Sequence, residues 1–186
     1  QAVPAGKGSM AAVMGMETEK IEEVIRDIPD VSIANYNCPG QIVITGLAEA
    51  VKEASEKLKE AGGRRVIPLN VSGPFHSAML KDAGKELAKV LEKVTLSELQ
   101  IPYVTNVTAE YVESTDETKA LLEKQISSSV RWQQSVEKMI AQGVDTFVEI
   151  GPGRTLAGFM RKINRNVKVY NIQTTEDAEE VCQELV

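Results

Sequence analysis

Between Ser9 and Val71 the spacing of apolar residues switches repeatedly between two and 3.6, and no other feature of the chain narrows its fold as far. Ser9 to Met14 is a short apolar run suited to a buried strand. Thr18 can cap a helix in which Ile21, Val24, Ile25 and Ile28 keep a helical spacing until Pro29 stops it. Val31 to Asn35 and Gln41 to Thr45 are short and strand-like, and Asn37-Cys-Pro-Gly40 between them carries turn chemistry, so the pair reads as a hairpin. Leu47, Val51, Ala54, Leu58 and Ala61 form the stripe of a second helix, closed by Gly62-Gly63, and Arg64 to Val71 reads as a further strand. The order β-α-β-β-α-β is that of a ferredoxin-like unit.

The remainder alternates helices and strands. Leu80, Ala83, Leu87, Leu91 and Val94 mark a long amphipathic helix, and Tyr103 to Asn106 a strand. Ser114-Thr-Asp-Glu117 has the spacing of a capping box that opens a helix through about Gln125. Trp132, Val136, Met139 and Ile140 predict another helix, ended by Gly143. Thr146 to Ile150 reads as a buried-type strand, Gly151-Pro-Gly153 as a turn, Leu156, Phe159, Met160 and Ile163 as a helix, and Val167 to Ile172 as a closing strand. Such alternation predicts a parallel α/β layer.

A hydrophobic fraction of 42% in 186 residues is enough for a full core. The net charge of −6 is mixed along amphipathic segments, which argues against nucleic acid as a partner. Cys38 and Cys182 stand far apart in no metal-ligand or CxxC spacing, so neither a disulfide framework nor a metal site is expected, and a reducing, cytoplasmic setting fits. No apolar run approaches the ~18 residues of a membrane span.

The single histidine, His76, lies in Val71-Ser-Gly-Pro-Phe-His-Ser-Ala, just after a strand and before a helix expected to start near Ser77. A helix N-terminus disfavours positive charge and so favours the neutral imidazole that a general base needs. The alternative is a loop histidine with satisfied hydrogen bonds. No G-x-S-x-G elbow accompanies it; Ser72 and Ser77 read as turn and cap residues, and Cys38, before a proline, as structural. Val148-Glu-Ile-Gly-Pro-Gly-Arg154 opens a helix and could cradle an anion, or be a packing turn. Asn35 and Asn37, on one face of an extended segment, offer paired amides or form Asx turns.

Asn35-Tyr-Asn-Cys-Pro-Gly-Gln-Ile-Val-Ile-Thr-Gly46, Val71-Ser-Gly-Pro-Phe-His76, Gln125 with Val130-Arg-Trp132, and Val148-Glu-Ile-Gly-Pro-Gly153 together resemble malonyl-CoA:acyl carrier protein transacylase, over almost the whole chain. The resemblance implies an α/β fold with a ferredoxin-like subdomain at 1–71, joined at 72–186 to the C-terminal part of an α/β-hydrolase-like acyltransferase domain. It implies His76 as catalytic base and Gln125 as the residue that orients it. Asn35 and Asn37 would line the cofactor end of the cleft, Met10 the acyl pocket, and Phe75 would precede the histidine as in malonyl-selective members.

The reaction so implied is ping-pong transfer of a malonyl group from malonyl-CoA to the phosphopantetheine thiol of acyl carrier protein, in fatty acid biosynthesis, through an acyl-serine and with no permanently bound cofactor or metal. The family's nucleophilic serine, oxyanion-hole segment and carboxylate-binding arginine are expected before Gln1. The partners would be acyl carrier protein, malonyl-CoA and the N-terminal part of the same enzyme, and the segment alone would be inactive. An acyltransferase domain of a polyketide or multifunctional fatty acid synthase shares these residues, although the acidic stretch from Glu176 looks like the end of a free-standing enzyme. A non-catalytic ferredoxin-like module that binds acyl carrier protein is the reading from another class.

Overall fold

The computed structural model describes residues 3, 4 and 6–185, so Gln1 and Val186, the outer ends of the two expected subdomains, lie outside the described residues. The chain forms two compact units, residues 1–135 and 136–186.

In the first unit, β1 (Gly8–Met14), α1 (Thr18–Ile25), β2 (Val31–Cys38), β3 (Gln41–Leu47), α2 (Ala48–Glu60) and β4 (Arg65–Pro68) build one antiparallel sheet of order β2-β3-β1-β4. The sheet follows from the period-two runs. Ala11 and Val13 of β1, Ile33 of β2, Ile42 and Ile44 of β3 and Val66 of β4 all turn to one face, where Ile21 and Ile25 of α1 and Val51, Ala54 and Leu58 of α2 cover them. Each fully buried isoleucine or leucine there contributes about 1.5–3 kcal/mol. The other face carries a smaller cluster of Met10, Ala34 and Val43.

Two glycines end α2 as the sequence requires. Gly62, at φ +100°, donates to the Lys59 carbonyl (3.1 Å) and Gly63 to that of Leu58 (2.8 Å), which satisfies carbonyls the helix leaves unpaired. The N-termini differ from expectation. Thr18 is the first helical residue of α1 and Glu17 occupies the cap position without a side-chain bond. The Ser114 hydroxyl accepts from the Asp116 N–H, closing a local turn, so the expected capping box does not form and Glu117 precedes the helix uncapped. Serine and threonine close such turns as readily as caps.

Past β4 come a 3-10 turn at Ala78–Leu80, α3 (Lys81–Leu91), the short pair β5 (Tyr103–Val104) and β6 (Tyr111–Val112), and α4 (Thr118–Ser127). The helix expected near Ser77 therefore begins as 3-10 and becomes α only at Lys81. α3 and α4 meet where Gly84 lies: a Cβ there would stand 3.0 Å from the Glu123 carbonyl oxygen, so the missing side chain permits the close approach. α5 (Trp132–Ala141) runs across the division between the two units.

In the second unit β7 (Thr146–Ile150), α6 (Thr155–Ile163) and β8 (Lys168–Ile172) form a parallel β-α-β, followed by α7 (Thr175–Leu185). Within this chain β7, which by its composition reads as a buried-type strand, is only partly covered. Glu149 turns toward α6, and the alternate residues Val148 and Ile150 are 36% and 77% exposed. The acidic stretch from Glu176 is helical. Among the described residues no helix is long and apolar enough to cross a membrane.

Candidate functional site

The segment from Leu69 to Ser77 carries His76 away from the sheet. Leu69 makes the last bond to β1, donating to the Met10 carbonyl (2.9 Å). Pro74 is fully buried, and its carbonyl accepts from the buried Ser77 hydroxyl at 2.7 Å. Pro74 and Ser77 therefore bracket Phe75, 44% exposed, and His76, half-buried. His76 adopts a left-handed backbone (φ +58°), a conformation uncommon outside glycine although histidine tolerates it better than most residues.

The ring of His76 meets Gln125 in the last turn of α4, where backbone carbonyls have no partner within the helix. The Gln125 backbone oxygen lies 3.0 Å from His76 Nδ1, and the Gln125 side-chain Nε2 lies 3.3 Å from the same nitrogen. The two contacts demand opposite tautomers. A carbonyl only accepts, so the shorter contact places the proton on Nδ1; the side-chain amide donates instead to the Ser128 carbonyl, also 3.3 Å away. Nε2 is then left with its lone pair, the arrangement a general base requires. The resemblance implied Gln125 as the residue that orients His76, and of its two contacts to Nδ1 the backbone oxygen makes the shorter one.

Immediately after α4 the chain joins the outer edge of β2. Ser129 Oγ donates to the Ile33 carbonyl (2.6 Å), Val130 N–H to that of Ala34 (2.7 Å), and Tyr36 N–H to the Val130 carbonyl (2.9 Å). Asn35 is thus bridged to Val130, five residues from Gln125. The register of β2 slips between Ile33 and Asn35 and again between Tyr36 and Cys38. Asn35 stays opposite Val43, whereas Asn37 is the extra residue of the second irregularity. Both are half-buried, and among the described residues neither side-chain amide has a hydrogen-bond partner, so the Asx turns are not formed.

Tyr36, between them, donates to Glu22 of α1 at 3.0 Å and lies under the Arg131 guanidinium, 5.6 Å from the ring centre. Burial, helped by Glu22, pushes its hydroxyl up to about 12, so it stays protonated at neutral pH. Met10 is buried with Ala34 and Val43. The structure thus bonds His76 directly to Gln125 and ties Asn35 to the segment just beyond it. Met10, Phe75 and Asn37 make no hydrogen bond to either residue among the described residues.

The glycine turn of the second unit is already filled. Both carboxylate oxygens of Glu149 accept at the start of α6, from Leu156 N–H (3.0 Å) and Ala157 N–H (2.8 Å), and Gly153 N–H donates to the Gln173 side chain (2.9 Å). The groups that would cradle an anion hold the chain's own carboxylate, so the packing turn, not the anion site, is what forms. Sequence reasoning missed Glu149; an acidic residue just before a glycine turn that opens a helix was the available signal.

The sequence pattern of the acyl transferase domain family matches residues 2–180. The chain is 43% identical to the malonyl CoA-acyl carrier protein transacylase of Bacillus subtilis, over all of this chain and 60% of the relative. It superimposes on the malonyl CoA-acyl carrier protein transacylase of Clostridium perfringens with a TM-score of 0.94 at 42% identity, covering all of this chain and 59% of that one. A malonyl-transacylase solved in complex with a type II polyketide synthase acyl carrier protein gives a TM-score of 0.94 at 36% identity, covering 98% of this chain and 60% of that one. The chain therefore spans about 60% of the length of the relatives it matches.

Proposed function

We propose, from a chain that belongs to the acyl transferase domain family, that these residues are the C-terminal part of a malonyl-CoA:acyl carrier protein transacylase. The observation that carries the reading is the bond from His76 Nδ1 to the Gln125 backbone oxygen, because it leaves Nε2 free to take a proton. A serine supplied by the rest of the enzyme would attack the malonyl thioester while Nε2 accepts its proton; that proton then goes to the departing coenzyme A sulfur. In the second half the phosphopantetheine thiol of acyl carrier protein attacks the acyl-serine, giving its proton to Nε2, which returns it to the serine oxygen. A carbonyl offsets less imidazolium charge than a carboxylate would. A thioester, already reactive, asks less of its base than an amide does.

The half-buried, unpartnered amides of Asn35 and Asn37 are read as contacts for the cofactor end of malonyl-CoA. Buried Met10 is assigned to the acyl pocket, and exposed Phe75 to its malonyl-selective entrance. The strand order β2-β3-β1-β4 with two helices on one face supports reading residues 1–71 as a ferredoxin-like small subdomain, with 72–186 belonging to the large α/β domain. We place the enzyme in the reducing cytoplasm, in keeping with Cys38 and Cys182 standing outside any disulfide, and in fatty acid biosynthesis.

The test is intact-mass spectrometry of the complete enzyme after incubation with malonyl-CoA. It is expected to gain one malonyl group and to lose it on addition of phosphopantetheinylated acyl carrier protein; no adduct under either condition overturns the proposal. Because the acceptor for His76 is a backbone atom, Gln125→Ala should cost roughly tenfold or less in kcat, well below the loss of the base itself. Steady-state transfer assays check this.

A further inference from the structure

We propose that Gly8 is a positioning residue for His76, acting through Pro74; the proposal rests on the reading of His76 as the base. Gly8 opens β1 opposite Leu47, and its φ is not in the left-handed region, so nothing in its own backbone demands glycine. Its surroundings do. A Cβ on Gly8 would lie 2.6 Å from the Pro74 Cβ and nearer still to the ring Cγ and Cδ, well inside contact distance. The proline ring is rigid and fully buried, so it cannot turn aside as a long side chain would.

This contact is where the segment returns to the sheet. The ladder to β1 ends with Leu69 bonded to Met10, and Pro74 then seats its ring on the bare α-carbon of Gly8. From there the geometry is short and determined. The Pro74 carbonyl holds the Ser77 hydroxyl at 2.7 Å, and between the two anchors His76 takes its left-handed turn and meets the Gln125 carbonyl at 3.0 Å. A methyl group on Gly8 must lift Pro74, and a lifted Pro74 carries His76 with it. A displacement of about 1 Å in a reacting group can cost on the order of 10²-fold in rate.

The experiment uses the complete enzyme with Gly8→Ala, Pro74→Gly and the double variant, reading kcat and KM for malonyl-CoA together with thermal unfolding, and with His76→Asn alongside. Gly8→Ala is expected to lower kcat by roughly 10–100-fold with KM within about twofold, a split that simple destabilisation would not give. Pro74→Gly should lower kcat several-fold, and in the double variant, where the Cβ, Cγ and Cδ that a Gly8 methyl would strike are all gone, the loss should be much smaller than the product of the two single losses. Wild-type kcat in a folded Gly8→Ala enzyme overturns the proposal, as does a double variant whose losses simply multiply. Should Gly8→Ala not fold, Pro74→Gly decides alone: wild-type kcat overturns the role, and a several-fold loss at unchanged KM sustains it. If His76→Asn is fully active, the base reading itself fails. If His76→Asn is inactive and Gly8→Ala is normal, only the positioning role falls.

Discussion

In the complete enzyme, His76→Asn is expected to lower kcat/KM for malonyl transfer by about 10²–10⁴-fold, the usual contribution of a positioned general base. That corresponds to about 3–5 kcal/mol of transition-state stabilisation. Asparagine is the informative replacement. His76 sits at φ +58°, where an alanine would add backbone strain of its own, whereas asparagine tolerates the left-handed region. An asparagine variant that keeps its unfolding temperature and loses turnover isolates the chemistry from the fold. Turnover within about tenfold of wild type would show that Nε2 is not the base, whatever the bond to Gln125 looks like. Acyl-enzyme formation from malonyl-CoA should slow to the same degree, since both half-reactions of the proposed mechanism use the same nitrogen.

The second large effect is on stability. Leu58, fully buried, lies under the sheet with Ile42 and Ile44, also fully buried, and Leu58→Ala leaves a cavity in that core. The expected cost is about 2–5 kcal/mol, a large part of the total stability of an ordinary domain. In a chain of this size that moves the unfolding temperature down by roughly 5–20 °C. Calorimetry or denaturant titration checks it. A loss below about 0.5 kcal/mol would mean that α2 does not close the core as described. Exposed Val90, at 60%, gives the contrast: Val90→Ala should stay within about 0.5 kcal/mol of wild type.

The first six elements were legible because their boundaries are chemical. Pro29 lies just past α1, Pro39-Gly40 turns the hairpin, and Gly62-Gly63 closes α2 through two bonds only those positions can make. β6 was not read, because Tyr111-Val112 is too short to show a period. α7 was hidden by its charge, although Ala178, Val181, Cys182 and Leu185 recur at helical spacing and Val181 is buried. His76 stood out as the lone histidine between a strand and a helix. Its partner could not be read from residue types, because the atom that meets Nδ1 is a backbone carbonyl, which every residue carries. The close seat of Pro74 on Gly8 was equally silent, since a glycine at the start of a strand looks like any other.

The join between Val130 and β2 also bears on how the protein behaves at high concentration. The outermost strands of an open sheet offer unpaired amides and carbonyls that a second chain can extend into an aggregate. Here one outer strand, β4, is four residues long and ends in Pro68, which has no amide hydrogen to offer. The other, β2, is longer and would be the better template, but Val130 occupies it from Ala34 to Tyr36. A change that frees Val130 from this strand would therefore create a sticky edge, seen as loss of solubility on concentration or gentle warming, before any loss of the folded core.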